Sequence, residues 1–378
     1  MTVPDSTFAR SEDQRFMALA LALGRRGLGS VWPNPAVGAV VVRHRNGAPI
    51  IVGRGWTQPG GRPHAETEAL GRAGGAAHDA TLYVTLEPCS HHGRTPPCVE
   101  AIVAAGITRV VSAIEDPNPM VAGEGHARLR AARIAVEVGV CAQEANHDNA
   151  GHFRRMRDGR PHVLLKLAVS ADGKVALPGR RPLSITGDIT RSRVHALRAT
   201  NDAILVGIGT VLADNPQLTC RLPGMAARSP VRIVLDTNLR LPLASKLVQT
   251  ARDVPVWAIA GLEAPRDAEE ALRDASVEVL RTTSSKSRVD LRATLKLLAG
   301  RGITRLMVES GPRVAATFVT ANLVDEAALF RSRKVVAGSD GIDAFEDLPL
   351  SALTQSSRLT LRAIETAGED SLELFQRV

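Results

Sequence analysis

His64-Ala65-Glu66 and Pro88-Cys89-Ser90-His91-His92-Gly93-Arg94-Thr95-Pro96-Pro97-Cys98 hold the residues that fix the chemistry of this chain and, with it, the fold. The spacing predicts a helix over 63–73 with His64 near its start, a strand over 80–85, a loop over 87–97 and a helix over 97–105 that opens near Cys98. One imidazole and two thiolates suit Zn²⁺. Three protein ligands leave the fourth tetrahedral position to water, which is the pattern of a catalytic rather than a structural site. Zinc lowers the pKa of bound water toward ~7, so a hydroxide nucleophile is available at neutral pH.

Attack on a ring carbon that carries an exocyclic amine needs a further group, because the water must lose a proton and the amine must gain one. Glu66 fits that shuttle: two residues after His64, at a helix start, it reaches the metal water without ligating the metal. His-x-Glu followed by Pro-Cys is the signature of zinc deaminases, and the Cys89-to-Cys98 spacing is longer than the usual Cys-x-x-Cys. Each residue alone has a plainer role: a core or surface histidine, a buried apolar cysteine, a glutamate that favours a helix dipole. A structural zinc completed by His91 or His92 is the main rival. Cys141 and Cys220 have no partner motif and read as core.

Outward from this constellation, 11–26 carries Phe16, Leu19, Ala20 and Leu23 at helical spacing. The β-branched runs 37–42 and 50–52 flank Asn46-Gly47, a hairpin signal. A strand at 110–114 and a helix at 127–133 complete a first α/β sandwich. The polar stretch 144–160 leads to Pro161, which places a domain boundary near 150–160, with domains assigned to 1–153 and 154–378. Beyond it, strand-like runs at 162–170, 203–206, 231–235, 256–260 and 306–308 alternate with helical stretches at 190–199 and 291–298. They predict a second sheet covered on both faces.

A length of 378 residues favours two cores over one. Aromatic residues are only 3% of the chain, which argues against base-stacking platforms for nucleic acid. The net charge of +8 is dispersed, which suits a phosphorylated small molecule better than DNA. No apolar run approaches the ~20 residues of a membrane span. The first residues lack a signal pattern, and four cysteines make no disulfide framework, so a cytoplasmic enzyme is expected.

The loop 88–98, with Asn34-Pro35-Ala36-Val37-Gly38 and His64-Ala65-Glu66, closely resembles the bifunctional riboflavin-biosynthesis deaminase/reductase family. So do Lys166-Leu167-Ala168-Val169-Ser170-Ala171-Asp172-Gly173-Lys174 and the stretch Gly207-Ile208-Gly209-Thr210 to Thr219. The resemblance covers nearly the whole chain. It implies a cytidine-deaminase-like N-terminal domain and a dihydrofolate-reductase-like C-terminal domain. The first would deaminate 2,5-diamino-6-ribosylamino-4(3H)-pyrimidinone 5′-phosphate, and the second would reduce the ribosyl side chain to ribityl with NADPH. It further implies His64, Cys89 and Cys98 as zinc ligands, Glu66 as proton shuttle and Asn34 as a deaminase pocket residue. In the reductase it implies cofactor positions at Ala168, Ser184, Thr210, Asp214, Gly311, Pro312, Arg313, Val314, Ala315, Ala316 and Thr317. Substrate positions are implied at Pro182, Arg198, Leu218, Arg221 and Glu309, and a homo-oligomer formed through the second domain is suggested.

Part of this has an independent physical basis. A strand at 306–308 runs through Glu309-Ser310-Gly311-Pro312 into a helix whose first N–H groups can hold dinucleotide phosphates. Gly207-Ile208-Gly209 after a strand is half of a dinucleotide fingerprint. Arg198 and Arg221 can pair a substrate phosphate. Two positions depart from the family pattern: Thr67-Glu68 replaces Glu-x-His after the zinc histidine, and Ser184 replaces an aromatic residue before Ile185-Thr186. A deaminase of another pyrimidine nucleotide with a divergent reductase domain, a nucleic-acid deaminase fused to an unrelated domain, and a zinc-stabilised binding module are the competing functions.

Overall fold

Asn46 and Gly47 both adopt positive φ, 53° and 78°, and join β1 (Gly38–Arg45) to β2 (Ala48–Trp56) as the predicted hairpin. The computed structural model describes residues 6–93, 96–119, 121–177, 185–285, 288–335 and 341–378. The chain divides at Arg160/Pro161 into two units, each with its own core.

In the first unit, α1 (Ser6–Gly24) precedes the hairpin. Then come α2 (Ala65–Ala73), β3 (Thr81–Val84), α3 (Cys98–Ala104), β4 (Arg109–Ser112), α4 (Glu124–Ala131) and β5 (Ala135–Val138). The sheet runs β2-β1-β3-β4-β5, antiparallel around β1 and parallel from β3 onward. Helix α1 buries Phe16, Met17, Ala20 and Leu21, whereas Leu19, expected on the inner face, is 42% exposed. The buried stripe is therefore rotated toward Met17. Asp13 fixes that rotation, because it accepts both Arg109 guanidinium nitrogens (2.9 and 2.7 Å) and the Tyr83 hydroxyl (2.8 Å) from the sheet. The polar stretch before Pro161 is not a connector but two helices, α5 (Ala142–Asp148) and α6 (Ala150–Asp158). Ala145 and Phe153 supply their few core residues.

Two glycines place α2. A Cβ on Gly53 would lie 2.1 Å from the Ala69 carbonyl oxygen, and one on Gly55 would lie 2.2 Å from that of Ala65. Only glycine lets the helix rest backbone to backbone on β2, and that contact sets the height of His64 and Glu66.

The second unit contains β6 (His162–Val169), β7 (Lys174–Ala176), α7 (Asp188–Ala199), β8 (Ala203–Gly207), α8 (Ile208–Asp214) and β9 (Val231–Leu235). There follow α9 (Lys246–Gln249), β10 (Val256–Gly261), α10 (Arg266–Asp274), β11 (Glu278–Thr282), the short pair β12 (Ser284–Ser285) and β13 (Arg288–Val289), and α11 (Leu291–Gly300). The chain ends with β14 (Arg305–Val308), α12 (Pro312–Thr320), β15 (Glu326–Arg331), β16 (Ile342–Asp343), α13 (Ser351–Thr354), β17 (Leu359–Ala367) and β18 (Asp370–Arg377). Nine strands form one sheet in the order β11-β10-β9-β8-β14-β6-β15-β18-β17. It is parallel as far as β15 and ends in the antiparallel pair β18 and β17. Insertion of β14 between β8 and β6 reverses the strand order there and opens a crevice at the carboxyl ends, where α/β sheets bind ligands. No helix among the described residues is long and apolar enough to cross a membrane.

Candidate zinc centre and reductase cavity

His64 is the residue before α2, with extended backbone (φ −70°, ψ 159°), so its ring points off the helix start. Cys98 opens α3, and Cys89 lies in the loop after β3. The buried Glu87 carboxylate anchors that loop by accepting the N–H groups of Asp116, Gly123 and His126 at 3.2, 3.0 and 3.1 Å. The three residues converge: His64 Nδ1 stands 3.3 Å from Cys98 Sγ and 3.7 Å from Cys89 Sγ. Ligands at ~2.0 Å (N) and ~2.3 Å (S) from one tetrahedral zinc are about 3.5 Å apart, so the donor set fits that ion. Neither histidine of the loop joins them among the described residues: His92 pairs with Glu100 at 3.0 Å, and His91 lies outside the cluster. Among the described residues the cluster therefore offers three ligands and no fourth.

The charge state of the thiols follows from their contacts. Cys89 is drawn down to about 4, first by the hydrogen bond from the Cys98 thiol and then by His64 and the Cys98 backbone N–H (3.3 Å). The Cys98 thiol is pushed up, chiefly because it donates to Cys89. Zinc would bind the two sulfurs as thiolates, so its binding would release the thiol proton. Glu66 is 4% exposed, in the first turn of α2, and burial raises its pKa. Asn34 donates to the Gly61 carbonyl at 2.7 Å and approaches His64 Nε2 at 3.3 Å, which places it at the same centre. Glu68, one of the two departures, pairs with Arg72 at 2.9 Å within α2 and is not among the ligating cluster.

The second unit holds a cavity of about 770 Å³ at the crevice made by β8, β14 and β6. Ala168, Thr210, Asp214, Arg198, Leu218 and Glu309 line it, and so do Gly311, Pro312, Arg313, Val314 and Thr317. Ala315 and Ala316 face the core instead, as their positions on α12 require. Pro182 and Ser184 lie outside the described residues. The two glycine turns are tied together: Gly207 N–H donates to Ser310 Oγ at 2.9 Å, and Gly311 N–H to Thr210 Oγ1 at 3.3 Å.

Glu309 is the electrostatic centre of this cavity. Its carboxylate accepts from Lys166 Nζ at 3.0 Å and from Arg198 Nε and Nη2 at 3.1 and 2.9 Å. Burial alone would raise its pKa, but Lys166 and Arg198 outweigh it and hold it at about 2. Arg198 Nη1 also donates to the Thr219 carbonyl at 3.0 Å, which leaves two of its five N–H donors for a ligand in the pocket it lines with Arg221. Beside the main cavity lies a smaller pocket of about 350 Å³ lined by Arg221 and Lys246, with Arg198 and Asp214 shared between the two. Lys166 and Lys246 had no assigned role from sequence. Lys166 carried a signal, a lone charge in an otherwise apolar strand; Lys246 carried none.

Comparison with known proteins agrees with both sites. The cytidine and deoxycytidylate deaminase zinc-binding region matches residues 10–114, and the RibD C-terminal domain matches 161–372. Riboflavin biosynthesis protein RibD of Aquifex aeolicus is 40% identical over 97% of this chain and 99% of its own length. That of Escherichia coli is 39% identical over 95% and 98%. Acinetobacter baumannii RibD (form 1) superposes with a TM-score of 0.86 at 34% identity, covering 98% of this chain and 99% of its own. A diaminohydroxyphosphoribosylaminopyrimidine deaminase/5-amino-6-(5-phosphoribosylamino)uracil reductase from Thermotoga maritima gives 0.83 at 34% identity, covering 98% and 100%. With a cytidine-deaminase-like unit, a dihydrofolate-reductase-like unit and relatives matched end to end, the chain belongs to the bifunctional RibD family of riboflavin-biosynthesis deaminase/reductases.

Proposed function

We propose that His64, Cys89 and Cys98 hold the catalytic zinc, that Glu66 moves the protons of the deamination, and that Lys166, Glu309 and the turns at Gly207 and Gly311 serve the reduction. The convergence of one imidazole and two thiol sulfurs beside a buried glutamate carries this reading. Zinc in such a site supplies a Lewis acid with one open position, which brings the pKa of water toward ~7. Glu66 takes the proton that water loses on attack at the amine-bearing ring carbon and returns it to the departing nitrogen. The carbon–nitrogen bond breaks, a carbonyl replaces it and ammonia leaves. Burial suits Glu66 to the task, because a carboxylate kept from water holds a proton more readily than an exposed one.

In the second unit, bound NADPH would supply a hydride to the ribosyl C1′; the C1′–O4′ bond breaks and O4′ takes up one proton. Lys166, held at 3.0 Å by Glu309 inside the cavity, is the donor placed to give it. The start of α12 and the Thr210 turn suit the dinucleotide phosphates. For the substrate's own phosphate, Arg198, Arg221 and Lys246 are the cations that line the smaller pocket. Asp214 shares the wall of that pocket, and burial raises its pKa. The substrate that matches both units is 2,5-diamino-6-ribosylamino-4(3H)-pyrimidinone 5′-phosphate.

A two-stage assay tests the reading: ammonia release from that substrate by zinc-loaded enzyme without NADPH, then loss of NADPH absorbance after its addition. Ammonia followed by NADPH consumption supports both units. Ammonia alone refutes the reductase part, and no ammonia refutes the deaminase part. The last outcome would favour the family's fold serving a different pyrimidine.

A further inference from the structure

We propose that Arg232, buried beside the smaller pocket of the second unit, is the positioning residue that sets Arg221 and Lys246 for a phosphate monoester. The inference rests on reading that pocket as the seat of the substrate's own phosphate, and it adds a residue that does not line the pocket. Arg232 lies on β9 and is 0% exposed. No carboxylate pairs with it among the described residues, and all its acceptors are neutral. Nη1 donates to the Gln217 carbonyl at 3.3 Å and to Thr250 Oγ1 at 2.7 Å, and Nη2 donates to the Thr250 and Val254 carbonyls at 2.9 and 2.5 Å. Burial lowers its pKa to about 10 against the attraction of Asp253, so it stays a cation at neutral pH.

A buried cation without a counter-charge is costly, and an apolar side chain of similar volume would serve a plain core position better. What the guanidinium holds explains its presence. Two branches run from it to the pocket. In the first, Gln217 gives its carbonyl to Arg232 and its side-chain Oε1 to Arg221 Nη1 at 3.3 Å. In the second, Thr250 Oγ1 accepts from Arg232 and donates to the Lys246 carbonyl at 2.7 Å. The branches close on each other, because Asn215 Oδ1 accepts the Lys246 N–H at 2.8 Å.

The backbone of this loop needs such a hold. Asn215 and Leu218, on either side of Gln217, stand at φ 41° and 57°, a left-handed conformation that non-glycine residues keep only where their surroundings impose it. Arg232 grips the loop from the core side at Gln217, between these two residues. Its charge also acts directly. In a low-dielectric interior with only neutral acceptors, it adds positive potential to a pocket that already presents Arg198, Arg221 and Lys246, and that potential favours an anion carrying nearly two charges.

Reductase kinetics of the zinc-loaded full chain test this with two substrates, 5-amino-6-(5-phosphoribosylamino)uracil and its dephosphorylated form. In Arg232→Met, KM for the phosphorylated substrate should rise roughly 10- to 100-fold, while kcat and the KM for the dephosphorylated form stay within about twofold. Arg232→Lys keeps the charge without the planar fork and should recover part of the loss. Calorimetric titration with NADPH, unchanged within about twofold, reports that the second unit of each variant is folded. Should Arg232→Met fail to bind NADPH, Thr250→Val decides: it breaks only the Lys246 branch, and KM for the phosphorylated substrate should rise about threefold to tenfold. An unchanged ratio of the two KM values in a folded variant would overturn the inference. So would a fall in kcat alike for both substrates, which is what a purely structural residue gives. Wild type that did not distinguish the two substrates would refute the phosphate reading of the pocket and this inference with it.

Discussion

Replacing Glu309 by Gln removes the one negative charge that Lys166 and Arg198 share in the second unit. Their side chains are 13% and 10% exposed, so water cannot take over. The shift of the Glu309 pKa from 4.5 to about 2 corresponds to roughly 3 kcal/mol of folding stability at neutral pH, at about 1.4 kcal/mol per unit. Breaking a buried pair from one side typically costs ~3–5 kcal/mol, because the partner charges remain buried. Glu309→Gln should therefore lower the stability of this unit by about 3–5 kcal/mol. Because the folded pKa is depressed, the contribution is fully present above the unfolded value and is lost as pH falls toward the folded one. The gap between wild type and variant should be flat from neutral pH to about pH 5 and roughly half closed near pH 3. Urea-dependent hydrogen exchange in peptides of β6 and β14 reads the second unit separately. A gap below about 1 kcal/mol, or one that stays constant as pH falls through that window, would refute the electrostatic account.

Glu66→Gln should keep its zinc, by metal analysis, yet release ammonia ~10²–10⁴-fold more slowly, while reduction of the deaminated intermediate proceeds at the wild-type rate. Cys98→Ala should lose zinc at chelator concentrations that wild type withstands and should release no ammonia, since two ligands cannot hold a catalytic ion. Lys246→Ala should raise the reductase KM for the phosphorylated intermediate about tenfold with little change in kcat; an equal effect on a dephosphorylated analogue would exclude a phosphate role. Gly55→Ala should cost about 1–3 kcal/mol in denaturant unfolding, because its Cβ would meet the Ala65 carbonyl at 2.2 Å and push α2 off the sheet.

The zinc centre was legible because its information is local. His64 and Cys98 stand at helix starts next to Pro63 and Pro97, Cys89 follows Pro88 in the loop between β3 and α3, and the hairpin at Asn46-Gly47 was legible for the same reason. Legibility failed where packing overrides composition. The stretch before Pro161 is polar by count, yet Ala145 and Phe153 suffice to fold it as two helices onto the core. The terminal strands β17 and β18 have weak alternation, because β17 is an edge strand with Leu361 and Ile364 exposed at 50% and 64%. Helix α1 was placed correctly and its face was not, since a single buried carboxylate, Asp13, chooses the rotation through Arg109 and Tyr83.

Two glutamates of this enzyme show where sequence information ends. Glu66 and Glu309 are the same residue, each beside a strand-to-helix connection, and both belong to the chemistry proposed for their units. Burial pushes the Glu66 pKa up and outweighs His64, which draws it down. Burial also raises the Glu309 pKa, but Lys166 from β6 and Arg198 from α7 reach it from 143 and 111 residues away in sequence and hold it as an anion. Opposite environments thus give one carboxyl group a proton to trade and the other a fixed charge with which to orient a lysine. The first role could be read from the two residues before it. The second exists only once the sheet has brought three distant segments together, so any variant that preserves Glu309 but shifts β6 or α7 should lose the reductase function while every motif residue remains in place.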